Sequence, residues 1–182
     1  MSQLIVYADH NAALIHHQSE EHDVICHLLA DIGVLFERWT AVSEVTVDMS
    51  SEQIMAAYQR QIDSLKTKQG YVTVDTISLT ADNPMKDELR QKFLSEHTHS
   101  EDEVRFFVRG EGMFYLHKAD RVYQVHCCKG DLISVPANVA HWFDMGPAPD
   151  FCAIRLFNNP EGWVAAYTGS DIATLFPKFE GL

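Results

Sequence analysis

The spacing of apolar residues predicts helices in the first half of the chain. Apolar residues recur every three or four positions over residues 19–32, with Ser19 as a candidate cap, and again over residues 50–70. Ser50 and Gln53 have the spacing of a capping box, which favours a helix start at this point. Shorter helices are expected at residues 83–94 and 170–176.

After residue 95 the apolar period changes from helical spacing to two, which is typical of half-buried strands. Six short strands are predicted, at residues 103–108, 113–117, 122–127, 131–135, 141–144 and 151–157. Earlier strands are expected at residues 4–7, 34–39 and 71–79, and His16 and His17 are expected in a loop. Many short antiparallel strands predict a mainly β fold, a barrel or jelly roll with the N-terminal helices packed outside it.

The length favours one domain over residues 1–182, because no linker or repeat divides the chain. Within it we expect helices and flanking strands in residues 1–94, a barrel core in residues 95–158 and a closing segment in residues 159–182. The formal charge of −12 disfavours nucleic acid and anionic membranes, so a small molecule is the expected partner. Without a signal-like start, the protein is expected in the cytoplasm, and we expect it to act as a monomer.

One segment carries a candidate metal site. If His97 and His99 lie on one strand, the period of two directs both imidazoles to the same face. Glu103 follows four residues later, and His141 comes from a strand distant in sequence. Three imidazoles and one carboxylate suit Fe(II), Ni(II), Mn(II), Co(II) or Zn(II), and on an octahedral ion they leave two positions open. His117 and His126 lie outside this pattern and are expected to be solvated strand residues. The four cysteines have no C-x-x-C spacing and are expected to be free thiols.

These spacings resemble the two motifs of the cupin superfamily. His97, His99, Glu103 and Gly110 match the first motif, and Gly130, Pro136 and His141 match the second. The leading glycine of the first motif and the final asparagine of the second are absent. Asn138 stands where the second motif has glycine, and asparagine tolerates the left-handed conformation that such a turn needs.

A wider set of segments resembles the acireductone dioxygenase family of methionine salvage. The matching segments are residues 96–99, 103–105, 131–136, 141–144, 154–157 and 160–163. The resemblance implies that the substrate is 1,2-dihydroxy-5-(methylthio)pent-1-en-3-one, which reacts with O2, and that His97, His99, Glu103 and His141 bind Fe(II) or Ni(II), one ion per chain. It implies formate and 2-oxo-4-(methylthio)butanoate as products with Fe(II). With Ni(II) it implies formate, carbon monoxide and 3-(methylthio)propanoate.

The neighbouring residues suggest how such a substrate could be held. Arg105 lies two residues beyond Glu103, so both side chains should face the barrel interior, where a guanidinium would stabilise enolate oxygens. A structural arginine paired with a carboxylate is the alternative. Glu96 or Asp102 could hold a ligating imidazole through its second nitrogen. Candidates for the wall around the apolar thioether tail are Phe93, Phe107, Trp142, Phe143 and Trp163, with Phe143 favoured by strand parity and Trp163 by the resemblance.

A cupin barrel by itself does not establish an activity. Another cupin oxygenase, such as a flavonol or thiol dioxygenase, would share the metal and differ in the pocket for the tail. A sugar-phosphate isomerase would use the metal only as a Lewis acid, and a ligand-binding cupin would have no activity. O2 uptake separates the oxygenases from the other two classes.

Overall fold

A computed structural model describes residues 1–46, 48–159 and 164–180. The strands are β1 Gln3–Ala8, β2 Asn11–Ser19, β3 Leu35–Arg38, β4 Thr73–Leu79, β5 His97–Thr98, β6 Glu103–Arg109, β7 Glu111–Lys118, β8 Arg121–Cys128, β9 Asp131–Val135, β10 Ala140–Asp144, β11 Phe151–Phe157 and β12 Ala166–Tyr167. The helices are α1 His22–Ala30, α2 Ser51–Ala57, α3 Gln59–Gln69 and α4 Lys86–Phe93, with a 3-10 helix at Ile172–Leu175.

The strands form two antiparallel sheets. The larger sheet has the strand order β12-β5-β10-β7-β8-β1-β2, and the smaller has the order β3-β9-β6-β11-β4. Side chains from both sheets, including Phe107 of β6 and Phe143 of β10, join residues of α1 in one buried core. The architecture is therefore the mainly β jelly roll that the strand pattern predicts.

The outer face of the smaller sheet is covered by helices. Val104 and Phe106 of β6 pack with Ile54 of α2 and with Ile62 and Leu65 of α3. Alternate residues of β6, starting with Glu103, therefore face the space between the two sheets. On the larger sheet, C-terminal aromatic residues cover part of the outer face, where Phe176 and Phe179 pack with Trp142 and Tyr115.

Most predicted elements are confirmed. Each of the six strands predicted after residue 95 lies within an observed strand and differs from it by at most two residues at an end. Both hydrogen bonds of the capping box form: the Gln53 N–H donates to the Ser50 hydroxyl, and the Ser50 N–H donates to the Gln53 side chain. Asn138 has a φ of 63°, the left-handed conformation expected for this turn. All four cysteines are free thiols.

The N-terminal region differs from the prediction in two respects. His16 and His17 lie in strand β2 and not in a loop. Most residues of β2 are exposed, so the strand has no buried face that would give an alternating pattern. The following helix starts at His22 without a side-chain cap, and the hydroxyl of Ser19 instead accepts a hydrogen bond from the Glu21 N–H, at 3.1 Å.

The helix predicted over residues 50–70 is interrupted at Tyr58. Its φ of −118° ends α2, and its carbonyl then accepts the Ile62 N–H at 3.0 Å as α3 begins. The break leaves the Tyr58 ring against Phe106, with ring centroids 4.6 Å apart. Near the C-terminus, the predicted helix at residues 170–176 is wrong in type, because only the 3-10 helix Ile172–Leu175 forms there. Among the described residues, no helix combines the length and apolar composition needed to cross a bilayer.

Candidate metal centre

Three strands bring the four predicted ligands together. His97 lies on β5, His99 follows that strand directly, Glu103 begins β6, and His141 on β10 is paired in register with His97. All four side chains are buried, and one donor atom from each lies within 4.8 Å of all the others. Although β5 is only two residues long, its pairing with β10 brings His141 next to His97.

Each of the three imidazoles is oriented by a backbone carbonyl. The Nδ1 atoms lie 2.7 Å from the Ser95 oxygen for His97, 2.9 Å from the Val164 oxygen for His99, and 2.8 Å from the Val139 oxygen for His141. A carbonyl oxygen can only accept a hydrogen bond, so each Nδ1 carries the proton. In the neutral rings, the lone pairs are consequently on Nε2.

The Nε2 atoms of His99 and His141 both lie 3.0 Å from Oε2 of Glu103. A lone pair facing a carboxylate oxygen at this distance needs a proton or a cation between the two atoms. The donor set is three imidazole nitrogens and one carboxylate, which suits a divalent transition metal. The residues therefore fit a metal ion.

The expectation that Glu96 or Asp102 holds a ligating imidazole is wrong, because backbone carbonyls occupy the three Nδ1 atoms. Each acid is next to a ligand in sequence, and adjacent strand residues point to opposite faces. Glu96 instead accepts hydrogen bonds from Nδ1 of His117, at 2.7 Å, and from Oγ1 of Thr168, at 2.6 Å. Asp102 accepts from the Tyr71 hydroxyl at 3.1 Å and the Ala137 N–H at 3.0 Å.

The electrostatics of the site favour an ionised carboxylate. Burial by itself would raise the pKa of Glu103, but the charge of Arg105 and hydrogen bonds from His141 and His99 hold that pKa well below its usual range. Burial lowers the pKa of His97 to about 4, and His141 adds to the decrease. Burial also acts to lower the pKa of His99, but its hydrogen bond to Glu103 and the carboxylate charge produce a net increase. Without metal, a proton on His99 can take the place of the cation.

A cavity of about 180 Å³ lies against His97, His99 and Glu103. Cationic and aromatic side chains form much of the remaining wall, among them Arg105, Arg155, Lys92, Phe93, Phe143 and Tyr167. The Arg105 guanidinium carbon lies 4.7 Å from the centroid of the Phe143 ring. Three of the four candidate ligands therefore border a small cavity whose wall combines aromatic rings with cations that are each paired with a carboxylate.

The sequence model of the ARD/ARD′ family matches residues 3–165, which is most of the chain. The chain belongs to the ARD/ARD′ family. A relative in Pectobacterium atrosepticum, named acireductone dioxygenase 2, is 54% identical over 180 residues, covering 99% of each chain. The acireductone dioxygenase of Pseudomonas syringae pv. syringae is 60% identical over 156 residues, covering 86% of each.

A solved structure has the same fold as this family member. It is the acireductone dioxygenase from Bacillus anthracis with a cadmium ion in its active centre, which is 32% identical. The match has a TM-score of 0.79 and covers 92% of this chain and 98% of that one. The cupin fold expected from the two motifs is therefore confirmed.

The predicted tail-binding aromatics have different positions in this ARD family member. Phe143 lines the cavity, as its strand parity suggested. Phe107 is outside the described lining of the cavity: it is fully buried in the core, with its ring centroid 6.4 Å from that of Phe143. Trp142 faces away and stacks on Tyr115, with centroids 5.0 Å apart. Trp163 lies outside the described residues.

Sequence reasoning missed Arg155 as a residue of the cavity. Arg155 is paired in register with Arg105 across β11 and β6. Its guanidinium forms two hydrogen bonds to Asp75, at 2.8 and 2.7 Å. A charged residue in the apolar run Ile154–Phe157 is the signal that could have identified it, because a cation inside a buried strand needs a partner or a function.

The expectation that His117 and His126 are solvated is also wrong for this ARD family member. His126 is buried, and its Nε2 lies 2.9 Å from Oε2 of Glu111. His117 is half-buried and bonded to Glu96. Both histidines lie on strands whose outer faces are covered by other segments, which the strand pattern does not reveal.

Proposed function

We propose that this protein is an acireductone dioxygenase, which cleaves 1,2-dihydroxy-5-(methylthio)pent-1-en-3-one with O2 in methionine salvage. The main support is the buried set of His97, His99, Glu103 and His141, three of which line a cavity that has two arginines in its wall. The names of relatives that are 54% and 60% identical support the same reaction.

In this proposal, His97, His99 and His141 hold a divalent ion through Nε2, and Glu103 holds it through a carboxylate oxygen. The bound ion would supply Lewis-acid polarisation of adjacent substrate oxygens and the redox chemistry that a reaction with O2 requires. We propose Fe(II) or Ni(II), one per chain, because the nitrogen and oxygen donors accept both ions.

Arg105 and Arg155 would stabilise the substrate as an enolate. Both cations lie at the cavity wall, and burial strengthens their attraction to a developing negative charge. Arg155 is paired with Asp75, and Arg105 is paired with Glu103. Because Glu103 is itself a candidate metal ligand, its ion pair places the Arg105 guanidinium beside the metal site, so Arg105 is our candidate for the direct contact with substrate oxygen. A planar guanidinium can bind two adjacent oxygens in one orientation, which would fix the direction of the substrate.

The apolar thioether tail would lie against Phe143 and Phe93. Their ring centroids are 6.2 Å apart, and both rings face the Arg105 guanidinium. An apolar wall at this position excludes water from the cavity and favours a methylthio group over a charged one. Trp163 stays a candidate for this wall on the family resemblance alone.

The test is O2 uptake by the reconstituted protein with enediol, flavonol and thiol substrates, compared with a double variant that lacks two ligands, His97→Ala with His141→Ala. We expect uptake with the enediol alone, and no bound metal or uptake in the variant. A matched control removes His16 and His17, two exposed histidines of β2, and should retain metal and activity. Uptake with a flavonol or thiol would favour another cupin oxygenase. No uptake with any substrate would contradict dioxygenase activity.

The cytoplasmic location and the monomeric state stay predictions from the sequence. Gel filtration combined with light scattering would test the second, with an expected mass near the chain mass of 20.6 kDa.

A further inference from the structure

A second group of metal-binding side chains lies on the outer face of the larger sheet. Glu111 of β7 is paired in register with Cys128 of β8, and His126 is two residues before Cys128. Residues two apart on a strand share a face, so His126 and Cys128 point in the same direction. Cys127 points the other way, into the core between the sheets. The group is therefore separated from the four residues of the first site, which face that inner space.

The three donor atoms are close enough to share one ion. Nε2 of His126 lies 2.9 Å from Oε2 of Glu111 and 3.8 Å from Sγ of Cys128, and all three donors are within 4.8 Å of one another. In a tetrahedral zinc site, the known bond lengths separate neighbouring donors by about 3.4 to 3.6 Å. The two distances from Nε2 of His126 lie on either side of this range, and the distance between the carboxylate and the thiol is at most 4.8 Å, so rotation of the Glu111 and Cys128 side chains would bring the donors to zinc spacing.

Rigid backbone holds two of the three donors. His126 lies on a strand paired on both sides, with Gln3 of β1 and Met113 of β7. The Cys128 N–H donates to Oδ2 of Asp131, at 2.9 Å, which fixes the backbone at the end of β8. The Phe179 ring packs on His126, with centroids 5.4 Å apart. Donors on paired strands lose little freedom on binding, which favours a preformed site.

One side of this group faces a cleft, where the α-amino group of Met1 interacts with the Cys128 sulfur. Glu111 and Cys128 are half-buried and line a cleft of about 460 Å³. A ligand from the cleft could therefore reach an ion held by the three side chains. Three protein ligands with one accessible position are typical of zinc sites that exchange a ligand, in contrast to closed structural sites.

We infer that Glu111, His126 and Cys128 form a second metal site, selective for thiophilic ions of the zinc class such as Zn(II), Co(II) and Cd(II). A thiolate, an imidazole and a carboxylate are together softer than the donor set of the first site, which has no sulfur. The bound ion would link β7 to β8 at one end of the larger sheet. This inference does not depend on the proposed dioxygenase activity.

The absence of sulfur from the first site makes the test specific. Protein is loaded with one Ni(II) per chain, and the absence of thiolate-to-nickel charge-transfer absorption shows that this ion occupies the sulfur-free first site, because nickel would otherwise bind the thiol site more tightly than cobalt. The protein is then titrated anaerobically with Co(II), and the thiolate-to-cobalt charge-transfer absorption is recorded. We expect the absorption to saturate at one Co(II) per chain. Cys128→Ser should abolish it, and Glu111→Gln should weaken Co(II) binding at least about tenfold, because even residues that only orient ligands have effects of that size.

Cys26→Ser is the matched control, because Cys26 is also half-buried and has a histidine nitrogen, Nε2 of His22, at 3.4 Å from its sulfur. This variant should keep the full absorption. Circular dichroism and the Ni(II) content show whether each variant is folded. Three results would overturn the inference: no charge-transfer absorption in the wild type, unchanged absorption in folded Cys128→Ser, or loss of the absorption in folded Cys26→Ser.

Discussion

The Nε atom of Arg105 lies 2.8 Å from Oε1 of Glu103 and forms a buried ion pair with it. The other carboxylate oxygen, Oε2, faces the imidazoles of His99 and His141. One carboxylate thus joins the candidate metal ligands to the cation at the cavity wall. The two interpretations of Arg105 from sequence, a structural arginine paired with a carboxylate and a substrate-binding residue, are compatible in this geometry.

We predict that Arg105→Lys lowers kcat/KM by about one to three orders of magnitude while metal content stays near the wild-type value. Lysine keeps a positive charge beside Glu103 but lacks the planar fork that can bind two oxygens. Steady-state kinetics and elemental analysis check the two parts separately. Arg109→Lys is the control, because Arg109 lies on the same strand but pairs with the exposed Asp150. Unchanged turnover in Arg105→Lys would contradict a role in substrate binding.

We predict that the metal determines the products. One batch of apoprotein is divided and reloaded with Fe(II) or Ni(II), and both samples react with the enediol under O2. The iron sample should give formate and 2-oxo-4-(methylthio)butanoate, and the nickel sample should give formate, carbon monoxide and 3-(methylthio)propanoate. Nitrogen and oxygen ligands bind nickel more tightly than iron, so elemental analysis must confirm the content of each sample. Identical products from both would disprove the metal dependence and leave the dioxygenase proposal intact.

The lowered pKa of His97 predicts acid sensitivity of the apoprotein. The folded pKa is about 4 and the ordinary value is 6.5, so the unfolded chain binds more protons between these pH values. The free energy of unfolding should therefore fall as pH decreases from about 6.5 to 4, with a contribution from His97 of about 3 kcal/mol. Urea titrations at several pH values measure it. His97→Gln should flatten the curve, and the exposed-site variant His16→Gln should not.

Asp144 connects the three segments expected from the sequence. Its buried carboxylate accepts hydrogen bonds from Arg90, at 2.7 and 3.0 Å, and from the Phe179 N–H, at 3.0 Å. Asp144→Ala would remove the carboxylate that neutralises the largely buried Arg90 guanidinium, so we predict a loss of about 3 to 5 kcal/mol in the free energy of unfolding. Asp150→Ala, at an exposed ion pair, should cost at most about 1 kcal/mol.

The hydrogen bonds of Asp144 join all three segments, which supports the prediction that residues 1–182 fold as one domain. We expect a single unfolding transition, observed at the same urea concentration by far-UV circular dichroism and by tryptophan fluorescence. Two separate transitions would contradict the single-domain prediction.

The strands after residue 95 could be predicted because each has one face in the core, which imposes a period of two on the sequence. The ligand set could be predicted for a related reason: His97 and His99 share a face only in an extended chain, and the motif spacing includes Glu103 and His141. Strand β2 could not be predicted, because its side chains are mostly exposed and its place depends on hydrogen bonds to β1. Backbone hydrogen bonds of this kind do not require any particular alternation of apolar and polar residues.

The contacts around the ligands were the least predictable part of the site. Arg155 reaches the cavity because β11 pairs with β6, and the register of two distant strands is not visible in either segment alone. Glu96 was a reasonable candidate partner for an imidazole by proximity in sequence. Strand alternation directs it away from His97, so proximity in sequence was misleading there.

Backbone carbonyl oxygens accept the Nδ1 protons of all three histidines. The tautomer of each imidazole therefore does not depend on any neighbouring side chain. A substitution at Ser95, Val139 or Val164 keeps the acceptor, so long as the main chain does not move. The affinity for the metal should therefore fall when the main chain at one of these three positions moves. The clearest case is Val164, which is remote in sequence from His99 but accepts its Nδ1 proton. A shift of the main chain at Val164 would free the His99 ring to rotate, although all four ligand residues would still be present.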